Sequence, residues 1–282
     1  MSSFLEGGNT VLCSAAENGL VLDRLDPFVL VIKFSRAEVR NALCDATYTA
    51  LAATLNDAKD DKDIEFIILT GDGEFFCGGM DLKNGFKSYD DLQDNPVYKF
   101  MCSMIECPKV LIALVNGPAI GIGTTLLLHV DLVFALRSAY FWIPFIRAGI
   151  VPEFASSKVL PEVIGQAAAA KMVLLGQKMT AEEAFQRGLV GELLDCEQNL
   201  AVTKVAQTLR ESLEGIPHAG SALLESKRLM RLDRVDSVKR AILLEFEAVG
   251  RRIASGKTGD AVAALRYQMD HQSGHHSKHA KL

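Results

Sequence analysis

One carboxylate, Glu153, lies among small and apolar residues in the stretch AGIVPEFASSKVLPEVIG, at 148–165. A carboxyl group in such surroundings is expected to have a raised pKa, because burial disfavours its charged form. Glu153 could then remove a proton next to a carbonyl group and return it elsewhere. Pro152 precedes it, however, and helices often begin after a proline, so Glu153 could instead be a helix N-terminal carboxylate. The residues alone leave both interpretations open.

Two glycine-rich loops follow apolar runs of strand character, GDGEFFCGGMDL at 71–82 and VNGPAIGIGTTL at 115–126. Neither is a phosphate-binding loop, since GxxxxGK[ST] is missing and GPAIGIG does not fit GxGxxG. Glycines between a strand and a helix allow close approach of the backbone and present free N–H groups. Two such loops could direct two N–H donors at one oxygen and form an oxyanion hole. Two tight turns at strand ends are the alternative.

Strands alternate with loops and helices in the first half of the chain, which predicts an α/β fold. Two short extended runs around Glu17-Asn18-Gly19 indicate a hairpin. A helix is expected from about Asp45 to Asp60, where Leu51 and Leu55 are spaced i, i+4. Apolar runs predict strands at 28–34, 65–71, 109–117, 131–136 and 139–145.

The second half of the chain is predominantly helical in pattern. MTAEEAFQRGL contains a capping box, Thr180 and Glu183, and the helix is expected to end at Gly188. Helical spacing continues over 197–215, 218–231, 236–255 and 258–270. Because no low-complexity linker separates the halves, we expect one packed unit with a helical C-terminal region.

The composition shows no pronounced charge imbalance. Of 282 residues, 49% are hydrophobic and 23% charged, and 30 basic against 35 acidic residues give a net charge of −5. Basic residues are not in excess, so the composition does not point to a nucleic-acid partner. No apolar run approaches the ~20 residues of a membrane span. The six cysteines show neither CxxC nor a Cys/His metal spacing, which predicts reduced, mostly buried thiols of an intracellular protein and no metal site.

Five motifs occur in the order and spacing of one known family: RAEVRNAL, FFCGGMDL, VNGPAIGIGTTLLLHVDL, FWIPFIRAGIVPE and GQKMTAEEAFQRGLVGEL. Together they resemble the enoyl-CoA hydratase/isomerase, or crotonase, family over roughly residues 18–270. The resemblance implies an α/β, crotonase-like spiral of ββα repeats with a C-terminal helical region, assembled as a homotrimer or hexamer. The expected divisions are a flexible N-terminus at 1–17, a spiral core at 18–200, the helical region at 201–270 and a flexible tail at 271–282.

Carried over by position, the resemblance assigns an oxyanion hole to the backbone N–H groups of Met80 and Ile122, which would bind a thioester oxygen. An N–H donor places little demand on the side chain, so methionine and isoleucine are acceptable there. The residues that would shape the two loops are Gly79, Asp81, Gly121 and Gly123. Asp81 is expected to act structurally, by bonding loop or helix N–H groups.

Four basic residues lie where family members hold the nucleotide and phosphates of coenzyme A. They are Arg36, Arg40, Lys83 and, in the C-terminal region, Lys227. Each could equally be a solvated surface charge.

The acidic positions distinguish the reactions of this family. Hydratases add water with two glutamates, whose positions are occupied here by Thr125 and Phe145. A hydroxyl and a phenyl ring cannot position and deprotonate water as two carboxylates do. Glu153 instead matches the sole acid/base of the Δ3,Δ2-enoyl-CoA isomerase branch, especially its peroxisomal type. The sequence departs from that pattern at Phe154, where glycine is usual, and we expect Thr125, Phe145 and Phe154 to line the acyl pocket.

The resemblance therefore implies an isomerase that converts 3-enoyl-CoA to 2-enoyl-CoA in β-oxidation, with no cofactor because the coenzyme A thioester is itself the substrate. Alternatives are another crotonase reaction, such as weak hydration or thioester hydrolysis, and a non-catalytic acyl-CoA-binding protein. A binding protein has no need of a carboxylate facing the acyl chain, so Glu153 argues against that alternative.

The chain ends in Ala280-Lys281-Leu282, which is similar to the Ser-Lys-Leu type of peroxisomal address. It predicts a peroxisomal import receptor as a partner and a location in the peroxisome or a related organelle. An ordinary basic tail is the alternative.

Overall fold

The computed structural model of the chain describes residues 11–15, 18–84 and 92–272. Ten strands are present in these ranges: β1 Val11–Ala15, β2 Leu20–Asp26, β3 Val29–Phe34, β4 Phe66–Gly71, β5 Val110–Val115, β6 Ala119–Ile120, β7 Leu132–Leu136, β8 Tyr140–Trp142, β9 Lys178–Thr180 and β10 Glu192–Leu194.

The same ranges contain ten α-helices: α1 Asp45–Asp60, α2 Pro96–Glu106, α3 Ile122–Thr125, α4 Ser156–Ile164, α5 Gln166–Leu175, α6 Ala181–Gln186, α7 Gln198–Leu213, α8 Ala219–Met230, α9 Arg234–Ala254 and α10 Lys257–Gln272. A 3-10 helix, Leu126–His129, continues directly from α3.

The strands form two sheets. The long sheet has the order β1-β2-β3-β4-β5-β7-β10, antiparallel from β1 to β3 and parallel from β3 onward. The short sheet has the order β6-β8-β9. Strands β5 and β7 lie in the long sheet, and the strands that follow them, β6 and β8, lie in the short sheet before helices resume. The chain therefore winds as a spiral of ββα turns.

The central parallel strands β4 and β5 are buried on both faces, as their largely apolar sequences require. One face packs against α1, α2, α4 and α9 in the main core, which includes Leu51, Phe100, Phe154 and Ile242. The other face packs against α7, through residues such as Val205 and Leu209. The sheet thus provides a rigid frame from whose strand ends the glycine-rich loops emerge.

Most of the expected elements are present with small changes in their bounds. Helix α1 has the expected bounds, and the capping box of α6 is formed by the Thr180 and Glu183 side chains. The C-terminal region is helical as expected, in four helices from Gln198 to Gln272. The α/β fold class with a helical C-terminal region is confirmed.

Two boundaries differ from expectation. Residues 11–15 form β1, which pairs with β2 as the hairpin expected around Glu17-Asn18-Gly19 requires, although these residues were also placed in a flexible segment at 1–17. The last helix extends to Gln272, so the first two residues of the expected tail at 271–282 are helical. The rest of that tail, with the Ala280-Lys281-Leu282 ending, lies outside the described residues.

Cys77 and Cys107 are buried, whereas Cys44, Cys102 and Cys196 are partly accessible; all five are free thiols. In the described ranges, no three His, Cys, Asp or Glu residues are placed to hold a metal ion. No helix within the same ranges is long and apolar enough to cross a membrane.

Candidate active site

A cavity of about 510 Å³ opens between the two glycine-rich loops and the segment that leads into α4. Its walls contain many of the predicted site residues, namely Arg40, Gly79, Met80, Asp81, Lys83, Gly121, Ile122, Phe145 and Glu153. Phe145, Ala148 and Ile150 contribute apolar surface. Val262 of α10 packs against Ala148 and Ile150 from behind, so the C-terminal region backs the apolar wall.

The first glycine loop is held by the segment at 36–43. The amide of Asn41 donates to the carbonyl oxygens of Asp72 and Phe75, at 2.8 and 2.7 Å. Backbone bonds join the Gly78 N–H to the Arg40 carbonyl and the Leu43 N–H to the Gly79 carbonyl. The RAEVRNAL motif is distant from the loop in sequence, but through these contacts it holds the loop in shape.

The second loop lies directly against the first. The Ile120 N–H donates to the Cys77 carbonyl at 2.9 Å, and Asn116 bridges the loops by accepting from the Gly71 N–H at 2.9 Å. At Gly123, an added Cβ would lie 2.7 Å from the Cys77 carbonyl oxygen, closer than such atoms approach. Glycine is therefore required at 123 to let the loops meet.

Met80 and Ile122 occupy equivalent places on the two loops. Gly79 and Gly121, which precede them, have φ of +95° and +55°, a region that favours glycine. Ile122 is the first residue of α3, so its N–H has no partner within the helix. Among the described residues, neither the Met80 nor the Ile122 N–H has a hydrogen-bond acceptor. Both line the cavity, so two unpaired donors are available to a ligand oxygen there.

Glu153 precedes an unusual turn. Phe154 and Ala155 both have φ of +54°, and α4 begins at Ser156. A left-handed conformation costs a residue with a side chain about 1–2 kcal/mol. The Glu153 carbonyl accepts hydrogen bonds from the Ser156 N–H, at 3.1 Å, and from its hydroxyl, at 2.6 Å. The interpretation of Glu153 as a residue at a helix start is thus compatible with its position on the cavity wall.

Phe154 is fully buried and does not line the cavity, so its assignment to the acyl pocket is wrong. Its ring stacks on His129 with 4.1 Å between centroids and meets Phe100 edge-on at 6.0 Å. His129 lies 2.7 Å from the Phe154 carbonyl oxygen. Burial lowers the pKa of His129 to about 3, so the neutral ring donates its Nε2 proton to that carbonyl. This packing offsets the strain of the left-handed backbone at Phe154, a strain that a glycine at this position would not have.

Burial, followed by the nearby charge of Glu245, raises the pKa of Glu153 to about 8. A hydrogen bond from the Thr125 hydroxyl, at 3.2 Å from Oε1, acts in the opposite direction. Thr125 is buried and does not line the cavity. The assignment of Thr125 to the acyl pocket is therefore also corrected: its hydroxyl contacts the candidate acid/base, and of the three predicted acyl-pocket residues Phe145 is the one that lines the cavity.

Asp81 is engaged in loop structure, as expected. Its carboxylate accepts from the Lys83 N–H at 3.1 Å and pairs with Arg36 at 2.9 Å. Burial tends to raise the pKa of Asp81, but these two partners outweigh it and lower the pKa. Arg36 also donates to the Ala42 carbonyl at 2.6 Å and is absent from the cavity wall, so the structure does not present it to coenzyme A.

Arg40 and Lys83 are exposed and line the cavity. Lys227 is placed differently. It is buried, pairs with Asp131 at 2.8 Å and donates to the Lys109 carbonyl, and it does not line the cavity. Its assignment to coenzyme A binding is wrong, because its charge anchors α8 to the core.

Comparison with known proteins identifies the family. The model of the enoyl-CoA hydratase/isomerase family matches residues 26–242. The chain belongs to the enoyl-CoA hydratase/isomerase family. It is 35% identical over 185 residues to enoyl-CoA delta isomerase 3, peroxisomal, of Mus musculus; the match covers 64% of this chain and 58% of the mouse protein, less than two-thirds of its length. It is 33% identical over 214 residues to 1,2-epoxyphenylacetyl-CoA isomerase of Escherichia coli, covering 73% and 80%.

Among solved structures, Pseudomonas aeruginosa OdaA is 36% identical and superposes with a TM-score of 0.81, covering 88% of this chain and 98% of that one. The crotonase fold expected from the motifs is thereby confirmed. Enzymes of the enoyl-CoA hydratase/isomerase family act on acyl-CoA thioesters, and the cavity combines the exposed cations, the unpaired N–H donors and the apolar wall that such a ligand needs.

Three residues near Glu153 could not be recognised from the sequence as part of its surroundings. Glu245 and His129 contact the turn after Glu153 from other helices, and a lone buried glutamate or histidine gives no local pattern that could reveal this. Tyr48 of α1 carries the one buried side-chain polar atom without a partner in the described ranges, its hydroxyl. Burial and then the charge of Glu153 raise the pKa of Tyr48.

Proposed function

We propose that this protein is a Δ3,Δ2-enoyl-CoA isomerase in which Glu153 is the acid/base and the Met80 and Ile122 N–H groups form the oxyanion hole. The observation that carries the proposal is the state of the carboxyl groups in the cavity. Among the described residues, Glu38, Asp81 and Glu153 line it. Glu38 is exposed and Asp81 is paired with Arg36, whereas Glu153 is shielded enough for its pKa to reach about 8.

The reaction needs one group that accepts a proton and returns it. The C2 protons of a 3-enoyl thioester are activated by both the carbonyl and the double bond. The Glu153 carboxylate takes one of them, and the C–H electron pair moves into a dienolate whose negative charge lies on the thioester oxygen. The same carboxyl group then gives the proton to C4, which leaves the double bond between C2 and C3.

The N–H groups of Met80 and Ile122 would stabilise the dienolate oxygen. A well-placed donor of this kind contributes roughly 3–4 kcal/mol to the transition state. The apolar surface of Phe145 and Ile150 would hold the acyl chain and limit the access of water. With Thr125 and Phe145 at the hydratase positions, no second carboxylate is available there to activate water for addition. The proposed reaction uses no resident cofactor.

The test is to incubate the purified protein with 3-enoyl-CoA and with 2-enoyl-CoA in separate reactions. We expect isomerisation of the first and negligible hydration of the second. Glu153→Gln should lower kcat by about 10²–10⁴-fold, the usual contribution of a general acid/base. Glu162→Gln is the matched control, since Glu162 is an exposed residue of α4 paired with Lys158. Unchanged turnover in Glu153→Gln would disprove its role as the base.

The pH profile provides a second measurement. Glu153 must be ionised to take the C2 proton, and its pKa is about 8. We therefore expect kcat/KM to rise with pH through about 8 and to be lost below it. Hydration of 2-enoyl-CoA at a comparable rate would favour another reaction of the family.

We also propose that the protein is peroxisomal, through its C-terminal Ala280-Lys281-Leu282, and that it assembles as a trimer or hexamer. The mouse relative is named as peroxisomal, which supports the first point. Deletion of the three residues should leave activity intact and move the protein to the cytosol; unchanged location would refute the address. Light scattering during size-exclusion chromatography measures the assembly directly.

A further inference from the structure

Glu245 of α9 is a buried carboxylate that does not line the cavity and has no part in the proposed chemistry. Its Oε2 accepts a hydrogen bond from the Ala155 N–H at 2.6 Å, and its Oε1 accepts one from the Ser157 N–H at 2.9 Å. Both N–H groups belong to the start of α4, at the N-cap Ala155 and at Ser157, and only Phe154 separates the N-cap from Glu153. One side chain thus joins two distant parts of the chain at the candidate acid/base.

The contact replaces a missing helix cap. The first N–H groups of a helix need acceptors, which Ser, Thr, Asp or Asn at the N-cap commonly supplies. Here the N-cap residue is Ala155, which has no side-chain acceptor. Glu245 supplies two acceptors from another helix, and its negative charge lies at the helix end that favours an anion.

The direction of the Glu153 side chain depends on the same turn. Phe154 and Ala155 are both left-handed, a conformation that residues with a side chain leave readily when their partners are removed. The Glu153 carbonyl is itself tied to Ser156, at the first helical position. A change in the backbone at 154–155 would therefore rotate Glu153 relative to the Met80 and Ile122 N–H groups.

We propose that Glu245 is a positioning residue for the acid/base: by holding the Ala155 and Ser157 N–H groups, it keeps the Glu153 carboxyl group directed into the cavity. The inference rests on the proposed function, because it takes Glu153 to be the group that moves the proton. The hydrogen bonds of Glu245 are made to the turn, and its side chain does not line the cavity.

The two carboxyl groups also interact through their charges. After burial, the charge of Glu245 is the next cause of the raised pKa of Glu153. The other titratable side chains that interact with Glu153 in the described ranges are Tyr48 from α1 and Cys77 from the first glycine loop, and both remain uncharged near neutral pH because burial raises their pKa values. Glu245 is thus the charged residue whose replacement should lower the pKa of Glu153.

Two substitutions separate the effect of the side-chain length of Glu245 from the effect of its charge. Glu245→Gln keeps the length of the side chain but removes its charge and one of the two acceptors. We expect kcat to fall by about 10- to 100-fold, as for a small misplacement of a catalytic group, with KM unchanged. The midpoint of the kcat/KM pH profile should also move to lower pH, because the repulsion that raises the Glu153 pKa is gone. Glu245→Asp keeps the charge but is shorter, so kcat should fall while the midpoint stays close to that of the wild type.

Glu247→Gln is the matched control, since Glu247 lies two residues on in α9 and is exposed beside Arg251. It should behave as the wild type in kcat, KM and pH midpoint. Binding of butyryl-CoA, measured by calorimetry, should be equal in all four proteins. A wild-type kcat in both Glu245 variants would overturn the inference. So would loss of butyryl-CoA binding together with turnover, because Glu245 would then support the fold in general.

The Glu153→Gln variant separates this inference from the proposed function. If Glu153→Gln retains turnover, the proposed function fails, whatever Glu245 does. If Glu153→Gln is inactive while Glu245→Gln has wild-type kcat and pH midpoint, the proposed function stands and only the role of Glu245 is refuted.

Discussion

The two sides of the cavity are built from different kinds of interaction. The side with the proposed oxyanion hole consists of two neighbouring loops joined mainly by bonds to backbone groups, such as that from the Ile120 N–H to the Cys77 carbonyl, with help from the Asn41 and Asn116 amides. The side with the proposed acid/base depends on side chains from separate elements, with Thr125, His129 and Glu245 all contacting Glu153 or the turn that follows it. A backbone donor needs only the correct path of its own chain, whereas a side-chain base needs partners that hold its direction.

Positive φ angles show the same difference. On the oxyanion side they occur at glycines, Gly79 and Gly121, where they cost little. On the acid/base side they occur at Phe154 and Ala155, where packing and hydrogen bonds must offset the strain. The first side is thus specified by local residue type, and the second by tertiary contacts.

The largest expected effect lies on the oxyanion side. Gly121→Ala places a side chain at φ +55° and ψ −121°, a conformation that alanine avoids, so the Ile122 N–H should move. We expect kcat/KM with 3-enoyl-CoA to fall by about 10²–10³-fold, as when one oxyanion donor is lost. Gly188→Ala is the control, because Gly188 has φ +82° and no atom of the described residues lies within 4 Å of an added Cβ. It should lose stability without losing activity, and equal losses of activity would contradict the comparison.

The turn on the acid/base side can be tested through stability. Truncation of the buried Phe154 to Ala should lower the free energy of unfolding by about 3–5 kcal/mol. Glycine relieves the left-handed strain, so Phe154→Gly should be more stable than Phe154→Ala by about 1 kcal/mol, although glycine normally destabilises relative to alanine. Urea denaturation measures both values. The reverse order would show that the turn at 154 is not strained.

A smaller effect is expected from the hydroxyl that contacts Glu153. Thr125→Val keeps the shape of the side chain but removes the hydrogen bond that lowers the Glu153 pKa. The pKa should therefore rise further, and the midpoint of the kcat/KM profile should move to higher pH, with a loss at pH 7 of roughly tenfold. Thr49→Val, on the exposed face of α1, is the control. A shift to lower pH would contradict the assigned direction of the bond.

The smallest effect concerns the Tyr48 hydroxyl, which has no partner among the residues that the structure describes. Tyr48→Phe removes the unpaired buried oxygen and keeps the ring that packs on Phe100. We expect the free energy of unfolding to stay the same or to rise by up to about 1 kcal/mol, since an unsatisfied buried group is costly. Thermal denaturation at constant pH measures it. Destabilisation by this change would show that the hydroxyl contributes a favourable interaction to the folded state.

Much of the fold follows from periodicity in the sequence. The buried strands β3, β4, β5 and β7 lie in apolar runs, and α1 and the C-terminal helices have amphipathic spacing. Helix α2 was missed although Asn95 caps it and Pro96 opens it, signals that the sequence does carry. The other missed elements have weaker signals. Strands β6, β9 and β10 contain only two or three residues, and α4 contains Pro161 and is separated from α5 by Gly165. The short strand pairings of β6, β9 and β10 form only when the spiral brings the paired segments together.

The site was predictable where its chemistry depends on local motifs. The glycine loops and Glu153 could be recognised, and the structure brings Met80, Ile122 and Glu153 to one cavity. Lys227 and Phe154 could not be placed, because a lysine in a helix has the same pattern whether it faces a ligand or pairs with Asp131. An aromatic residue beside a catalytic position likewise gives no sign of whether its ring lines the pocket or turns into the core, as that of Phe154 does.

The sequence by itself determined the fold class, the family resemblance, the two glycine loops and Glu153 as the candidate carboxylate. These features depend on residue type and short-range spacing, which the chain carries locally. Only the tertiary structure decided how Glu153 is held, because Glu245 lies 92 positions further along the chain by their residue numbers. Its approach to Ala155 and Ser157 depends on the packing of α9 against α4, which brings the two segments into hydrogen-bonding distance.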